Sequence, residues 1–174
     1  MSLKKELRKQ ILKNRSMMDD KRMIEAKDSI IKTLSNMEVF QKAKVIGIYY
    51  PLGKEINLLD LVKLYPDKIF ALPKTVDEQI IYHEFNSNTV LEKTSFGLLE
   101  PISGENFNLK LDLCLVPSLG MTKDNYRLGY GAGYFDRFFT LYNKPYKIGI
   151  IYQGEEVSFE PFDYDVKLDT YVSG

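Results

Sequence analysis

The chain has one cysteine and one histidine in 174 residues. A single cysteine excludes a disulfide framework and a cysteine-based zinc cluster, and a single histidine leaves no material for a histidine-rich metal site or a histidine relay. Net charge is missing too: 24 basic residues balance 24 acidic ones. A protein that binds nucleic acid over its whole surface carries a basic excess, and this one does not. No apolar run approaches the roughly 18 residues of a membrane span, and the first residues lack the apolar stretch of a signal peptide. Low complexity and disorder are excluded by a 44% apolar fraction alongside 28% charged residues. The reading is a cytoplasmic protein with one domain spanning residues 1–174, without membrane or nucleic-acid partners.

Charge is distributed unevenly along this neutral total. Residues 1–32 hold ten basic side chains against five acids, and residues 150–174 hold six acids and only Lys167. Solvated helix faces and an acidic end segment account for this, and so do cations near a phosphate with carboxylates near a metal.

Leu3, Leu7 and Ile11 repeat at four-residue spacing behind Ser2, which predicts a short amphipathic helix. Ser16 with Asp19 reads as a capping box opening a second helix, striped by Met23, Ile30, Leu34 and Met37. Lys44–Tyr50, stopped by Pro51, has the pattern of a buried strand. Asn57 is placed to cap a helix through Leu58, Leu61 and Val62. Strands are expected at Lys68–Leu72, Gln79–Phe85, Leu111–Val116 and Tyr146–Tyr152, with a helix over Tyr134–Tyr142 and mostly loop over 86–110. Alternating strands and helices predict an α/β fold around a largely parallel sheet.

The chemistry concentrates between Pro117 and Arg137. This stretch follows an expected central strand and runs into a helix, the carboxyl-end position where open α/β sheets bind ligands. Gly129, Gly131 and Gly133 alternate there, so backbone amides can approach an anion, and the next helix adds its positive N-terminal end. The segment is no P-loop, because no glycine-lysine-serine or glycine-lysine-threonine follows. It is no dinucleotide fingerprint either, since Asp136 stands where the third glycine belongs. A tight turn and a phosphate cradle both fit the glycines; Arg127 before them and Asp136 and Arg137 after them bring the cradle level with the turn. Tyr130 and Tyr134 flank the loop, where rings can stack on a flat heterocycle, whereas Phe138 and Tyr142 read as core. His83 and Cys114 read as structural, and no serine sits in a nucleophile elbow.

Arg127-Leu-Gly-Tyr-Gly-Ala-Gly-Tyr-Phe-Asp136 resembles the signature of the 5-formyltetrahydrofolate cyclo-ligases, also called 5,10-methenyltetrahydrofolate synthetases. The resemblance runs along nearly the whole chain. Lys4-Lys-Glu-Leu-Arg8 is similar to the family's N-terminal motif, Tyr49-Tyr-Pro-Leu-Gly-Lys-Glu55-Ile to its substrate segment, Phe96-Gly-Leu-Leu-Glu-Pro101 to its central turn, and Phe162-Asp-Tyr-Asp165-Val-Lys-Leu-Asp169 to its acidic motif. It implies a three-layer α/β/α sandwich around a mixed sheet, acting as a monomer. The implied activity is ATP- and magnesium-dependent conversion of 5-formyltetrahydrofolate, with or without a polyglutamate tail, to 5,10-methenyltetrahydrofolate with release of ADP and phosphate. By the resemblance, Lys4, Lys5, Arg8 and the run Arg127, Leu128, Gly129, Tyr130, Gly131, Ala132, Gly133, Tyr134 and Phe135 hold ATP. Tyr50, Glu55 and residues 130–134 hold the folate, Asp136 and Asp165 hold magnesium, and Arg127, Tyr134 and Asp136 act in catalysis. The chain departs from the family pattern in three places: Ala132 stands for a common lysine or glycine, Phe135 for a tyrosine and Tyr164 for a histidine. The rival readings are another ATP-dependent small-molecule kinase or ligase and a non-catalytic nucleic-acid binder using the basic N-terminal helices.

Overall fold

Two amphipathic helices open the chain, each started by a side chain that satisfies orphan backbone N–H groups. In the computed structural model, which describes residues 2–174, α1 spans Leu3–Ser16 and the Ser2 hydroxyl accepts from the Lys5 amide at 3.3 Å. Helix α2 spans Asp20–Ser35, and its cap is Asp19, which accepts from the Arg22 amide at 2.8 Å. The expected capping box is therefore wrong by one element. Ser16 is the last residue of α1, and its hydroxyl bonds back to the Lys13 carbonyl at 2.6 Å. Met37 also falls outside the stripe: it precedes α3 (Glu38–Lys42).

The strands follow in the expected places with shorter or longer ends. β1 is Val45–Gly47, then after α4 (Asp60–Leu64) come β2 (Ile69–Val76) and β3 (Gln79–Phe85). Asn57 accepts from the Leu59 amide at 3.0 Å, a local turn just ahead of α4. The stretch expected as loop holds a small hairpin, β4 (Leu91–Lys93) and β5 (Leu99–Pro101). Then come β6 (Leu113–Pro117), the short pair β7 (Gly120–Met121) and β8 (Arg127–Leu128), α5 (Tyr134–Leu141), β9 (Tyr146–Ile151) and β10 (Thr170–Ser173).

Six strands form one sheet in the order β10-β9-β6-β1-β2-β3, parallel throughout except for β3, which runs antiparallel to β2. Period-two alternation divides the core between its faces. Ile46, Phe70, Leu113 and Ile148 join Ala26, Ile30 and Leu34 of α2 and Phe40 of α3 in one cluster. Their neighbours Ala71, Cys114, Val116 and Ile151 join Phe138 and Phe139 of α5 in another. Helices thus cover both faces, giving the three-layer α/β/α arrangement around a mixed sheet. Fully burying one such Leu, Ile or Phe stabilises the fold by about 1.5–3 kcal/mol.

From β1 the chain builds outward through β2 and β3; from β6 it builds the opposite way through β9 and β10. The strands β1 and β6 therefore flank the point where the winding reverses. In open α/β sheets the loops at the carboxyl ends of such a pair splay apart and leave a crevice.

Candidate functional site

A cleft of about 800 Å³ occupies that crevice. The loop after β1 supplies Tyr50 and Glu55, the end of β6 supplies Pro117, and the segment after β8 supplies residues 129–136. Helix α1 brings Lys4 and Arg8 over one side, and the 159–165 segment brings Asp165. Two of the sequence-predicted residues do not line the cleft. Lys5 is exposed, because one residue along a helix turns the side chain by about 100° away from the face that Lys4 and Arg8 share. Leu128 is 1% exposed and packs with Ile11 and Leu119 beneath the loop.

The glycine segment owes its path to residues that tolerate left-handed backbone. Gly131 has φ of 106° and Gly133, which caps α5 with no side-chain bond, has φ of 73°. Gly129 is needed for space, since a Cβ there would overlap the Arg127 guanidinium. Arg8 Nε donates to the Gly129 carbonyl at 2.6 Å and pins the loop to α1. Arg127 reaches inward: its Nε and Nη2 donate to the Pro117 carbonyl at 2.8 and 2.5 Å, and its guanidinium lies 4.8 Å from the centre of the Phe135 ring. Burial lowers its pKa to about 10, against the pull of Asp136 and Glu55, so it is a cation at neutral pH.

Acidic groups face these cations. Glu55 is 7% exposed; its Oε1 accepts from the Leu52 amide at 2.7 Å and its Oε2 from the Tyr130 hydroxyl at 3.2 Å. Burial raises its pKa, opposed by those two hydrogen bonds and by Arg15 and Arg127. Asp136 accepts from the Val166 amide at 3.0 Å; burial raises its pKa, and nearby Asp165 adds to the rise. Asp165 Oδ2 accepts from Lys4 Nζ at 2.7 Å and from the Phe162 amide at 2.8 Å. The Lys4 ammonium also sits 4.3 Å from the centre of the Phe162 ring and 4.8 Å from that of Phe159. Asp136 and Asp165 each keep one carboxylate oxygen without a hydrogen-bond partner among the described residues. No group of three or more His, Cys, Asp or Glu side chains could hold a metal among those residues, so a cation here would need further oxygens from solvent or a ligand.

The family model for the 5-formyltetrahydrofolate cyclo-ligase family matches residues 1–174. The chain belongs to that family. A 5-formyltetrahydrofolate cyclo-ligase of Mycoplasma pneumoniae is 32% identical over 98% of each chain, and one of Haemophilus influenzae is 26% identical over 95% of this chain and 94% of its own. The solved structure of Aquifex aeolicus 5,10-methenyltetrahydrofolate synthetase superposes with a TM-score of 0.86 at 30% identity, covering 99% of this chain and 90% of that one. The Mycoplasma pneumoniae synthetase structure gives 0.76 at 28% identity over 98% of both. Cyclo-ligases are enzymes that take ATP as co-substrate.

In this chain the three positions that depart from the family pattern have defined surroundings. The Ala132 carbonyl accepts from Arg137 Nη1 at 2.9 Å. Phe135 supplies the ring beneath Arg127 and stacks on Phe139 at 6.0 Å. Tyr164 is exposed and stacks on Phe162 at 5.3 Å. The cleft also contains residues to which the sequence reading gave no role: Phe96 and Leu98 from the β4–β5 hairpin, and Phe159 and Phe162 beside Lys4. Phe96 and Phe162 lie inside recognised motifs, which was the available signal; Phe159 had none. His83 is held by the Glu105 carbonyl at 2.9 Å, and burial raises the Cys114 thiol to about 12, so neither belongs to the site.

Proposed function

We propose that this chain converts 5-formyltetrahydrofolate to 5,10-methenyltetrahydrofolate, with ATP going to ADP and phosphate and with magnesium as the metal. The observation that carries this reading is the convergence on one cleft of three cations from two distant segments, a glycine loop at a helix N-terminus and two carboxylates. Phosphoryl transfer is mostly positioning and charge neutralisation, and that is the chemistry such a set performs without a covalent nucleophile.

In this reading Lys4, Arg8, Arg127 and the amides of residues 129–133 hold the phosphates of ATP. Asp136 and Asp165 hold magnesium, a hard ion that suits their oxygens and draws its remaining ligands from water and phosphate. When bound, it neutralises charge on the phosphates. Tyr50, Glu55, Tyr130 and Tyr134 hold the folate, with the buried Glu55 carboxylate as acceptor for the pterin. The formyl oxygen attacks the γ-phosphorus and ADP leaves. N10 then attacks the activated formyl carbon, the carbon–oxygen bond breaks, and phosphate departs with the N10 proton. The working unit is a cytoplasmic monomer, since one chain supplies every residue named; polyglutamylated folate is a substrate whose tail leaves through the open side of the cleft.

The test is turnover of 5-formyltetrahydrofolate followed by the near-ultraviolet absorbance of the methenyl product. Absorbance should rise only when ATP and magnesium are both present. ATP hydrolysis with other small acceptors and none with this one would move the chain to another ATP-dependent kinase or ligase activity.

A further inference from the structure

Arg137 carries an arrangement that none of these roles explains. It sits in the first turn of α5 and is exposed, yet its whole guanidinium is engaged. Nη1 donates to the Ala132 carbonyl at 2.9 Å, Nε and Nη2 donate to the Glu78 carbonyl at 3.2 and 2.9 Å, and the group lies 5.0 Å from the centre of the Tyr134 ring. Every acceptor is main-chain. The Glu78 carbonyl comes from the two-residue turn between β2 and β3, where Asp77 and Glu78 have φ of 49° and 65°. Turns with both central residues left-handed favour Asn-Gly, so Asp-Glu holds that shape at a cost. The two-residue hairpin requires those angles, and they fix where the Glu78 carbonyl points.

Arg137 does not line the cleft; it borders a groove of about 710 Å³ behind the glycine loop, which Ala132 and Gly133 border as well. In a trans peptide the carbonyl and the following N–H point in opposite directions. With the Ala132 carbonyl turned to Arg137, the Gly133 N–H is turned away from it, and Gly133 also lines the cleft. Glycine has little preference between mirror-related backbone wells, so this peptide needs an outside restraint to keep one orientation. Alanine at 132 has no side-chain group to supply it.

We propose that Arg137 is a positioning residue that locks the Ala132–Gly133 peptide, braced on the Glu78 carbonyl, so that the Gly133 amide is presented to a phosphate oxygen in the cleft. The charge on Arg137 also polarises that peptide and strengthens its N–H as a donor. The proposal rests on the reading of residues 129–133 as the ATP cradle.

The experiment compares full-length wild type, Arg137→Lys and Arg137→Ala. Calorimetry measures binding of a non-hydrolysable ATP analogue with magnesium, and amide hydrogen exchange follows residues 131–134. The dissociation constant should rise about tenfold in Arg137→Ala and about threefold in Arg137→Lys, which can reach only one of the two carbonyls. Exchange at the loop should quicken in the same order, with the KM for 5-formyltetrahydrofolate unchanged and the melting temperature nearly so. Unchanged analogue affinity in Arg137→Ala overturns the proposal alone. A variant that loses both ligands in proportion to its melting temperature overturns it too, leaving a merely structural arginine. A wild type that does not bind the analogue overturns the ATP cradle itself, and the proposal with it.

Discussion

The inner wall of the cleft and its mouth use the same residue types under different constraints. Buried behind the wall, Arg15 is bonded through two nitrogens to Glu155 at 2.8 Å and to the Ser118 carbonyl at 2.7 Å, and at the wall itself Arg127 is bonded twice to the Pro117 carbonyl. These cations are held by the fold itself, each through partners on the chain. At the mouth, Lys4 is bonded to Asp165 and Arg8 to the Gly129 carbonyl, partners that are themselves proposed to meet magnesium and phosphate. An ammonium–carboxylate pair at a cleft mouth can exchange partners when a polyanion and a divalent cation arrive together. The wall fixes geometry, and the mouth supplies charge that is free to be reassigned.

The sharpest break of the wall is Arg15→Met. Removing one member of a buried pair leaves Glu155 uncompensated and should cost about 3–5 kcal/mol, read by denaturant unfolding. A loss below about 1 kcal/mol would show that solvent screens this pair as it screens a surface one. Asp136→Asn comes next. Turnover should fall about a hundredfold, roughly 2.7 kcal/mol of transition-state stabilisation, in a folded protein partly rescued by excess magnesium. If Asp136 serves only the dipole of α5, the same variant keeps near-normal turnover and loses only about 0.3–1 kcal/mol of stability.

Removing residues 1–8 addresses the mouth. The KM for ATP should rise about tenfold as two charge-assisted contacts are lost, while Ile11 and Arg15 keep the rest of α1 docked and the melting temperature changes little. An unaltered KM would return Lys4 and Arg8 to the solvated surface. The smallest effect is expected for Glu55→Gln, which should weaken folate binding about fivefold, the worth of roughly one hydrogen bond, and leave ATP binding intact. It also carries a pH signature. Burial raises the Glu55 pKa above the ordinary 4.5, so the folded chain holds this proton more tightly than the unfolded one. Its contribution to stability is therefore lost as pH rises through the interval between the two values. The amide does not titrate, so melting temperatures of wild type and Glu55→Gln should diverge in the variant's favour above that interval and approach a constant difference below it.

The regular elements were legible because their patterns are local. Apolar runs through β1 and β6, four-residue spacing in α1 and the glycines before α5 are visible in windows of a dozen residues. What was not legible depends on distance or on small differences in geometry. Nothing near Lys4 announces Asp165, 161 residues away. Nothing in the Glu55 loop announces burial, because the covering groups, Tyr130 and Arg127, come from the other half of the chain. Ser16 and Asp19 both suit a cap, and only the three-dimensional path decides that one ends α1 while the other starts α2. β7, β8 and β10 escaped because two to four residues carry too little periodicity. Lys5 and Leu128 were carried along with their motifs, although the turn of a helix and the pleat of a strand point them elsewhere.

The sheet order has a consequence for how the chain comes to be folded. Helix α2 lies over β10, and Gly174 is packed so closely on it that a Cβ there would meet the Ala26 carbonyl and Ile30. Ala26, Ile30 and Leu34 share their cluster with Val172. During synthesis, then, the second helix is complete while the strand that covers its apolar stripe has yet to be made. Until β10 has left the ribosome, that stripe has only partial cover from β1 and its neighbours. Contacts between such distant segments form slowly, and the exposed stripe in the meantime is the surface at which a chaperone would hold this chain or a second nascent copy would stick to it.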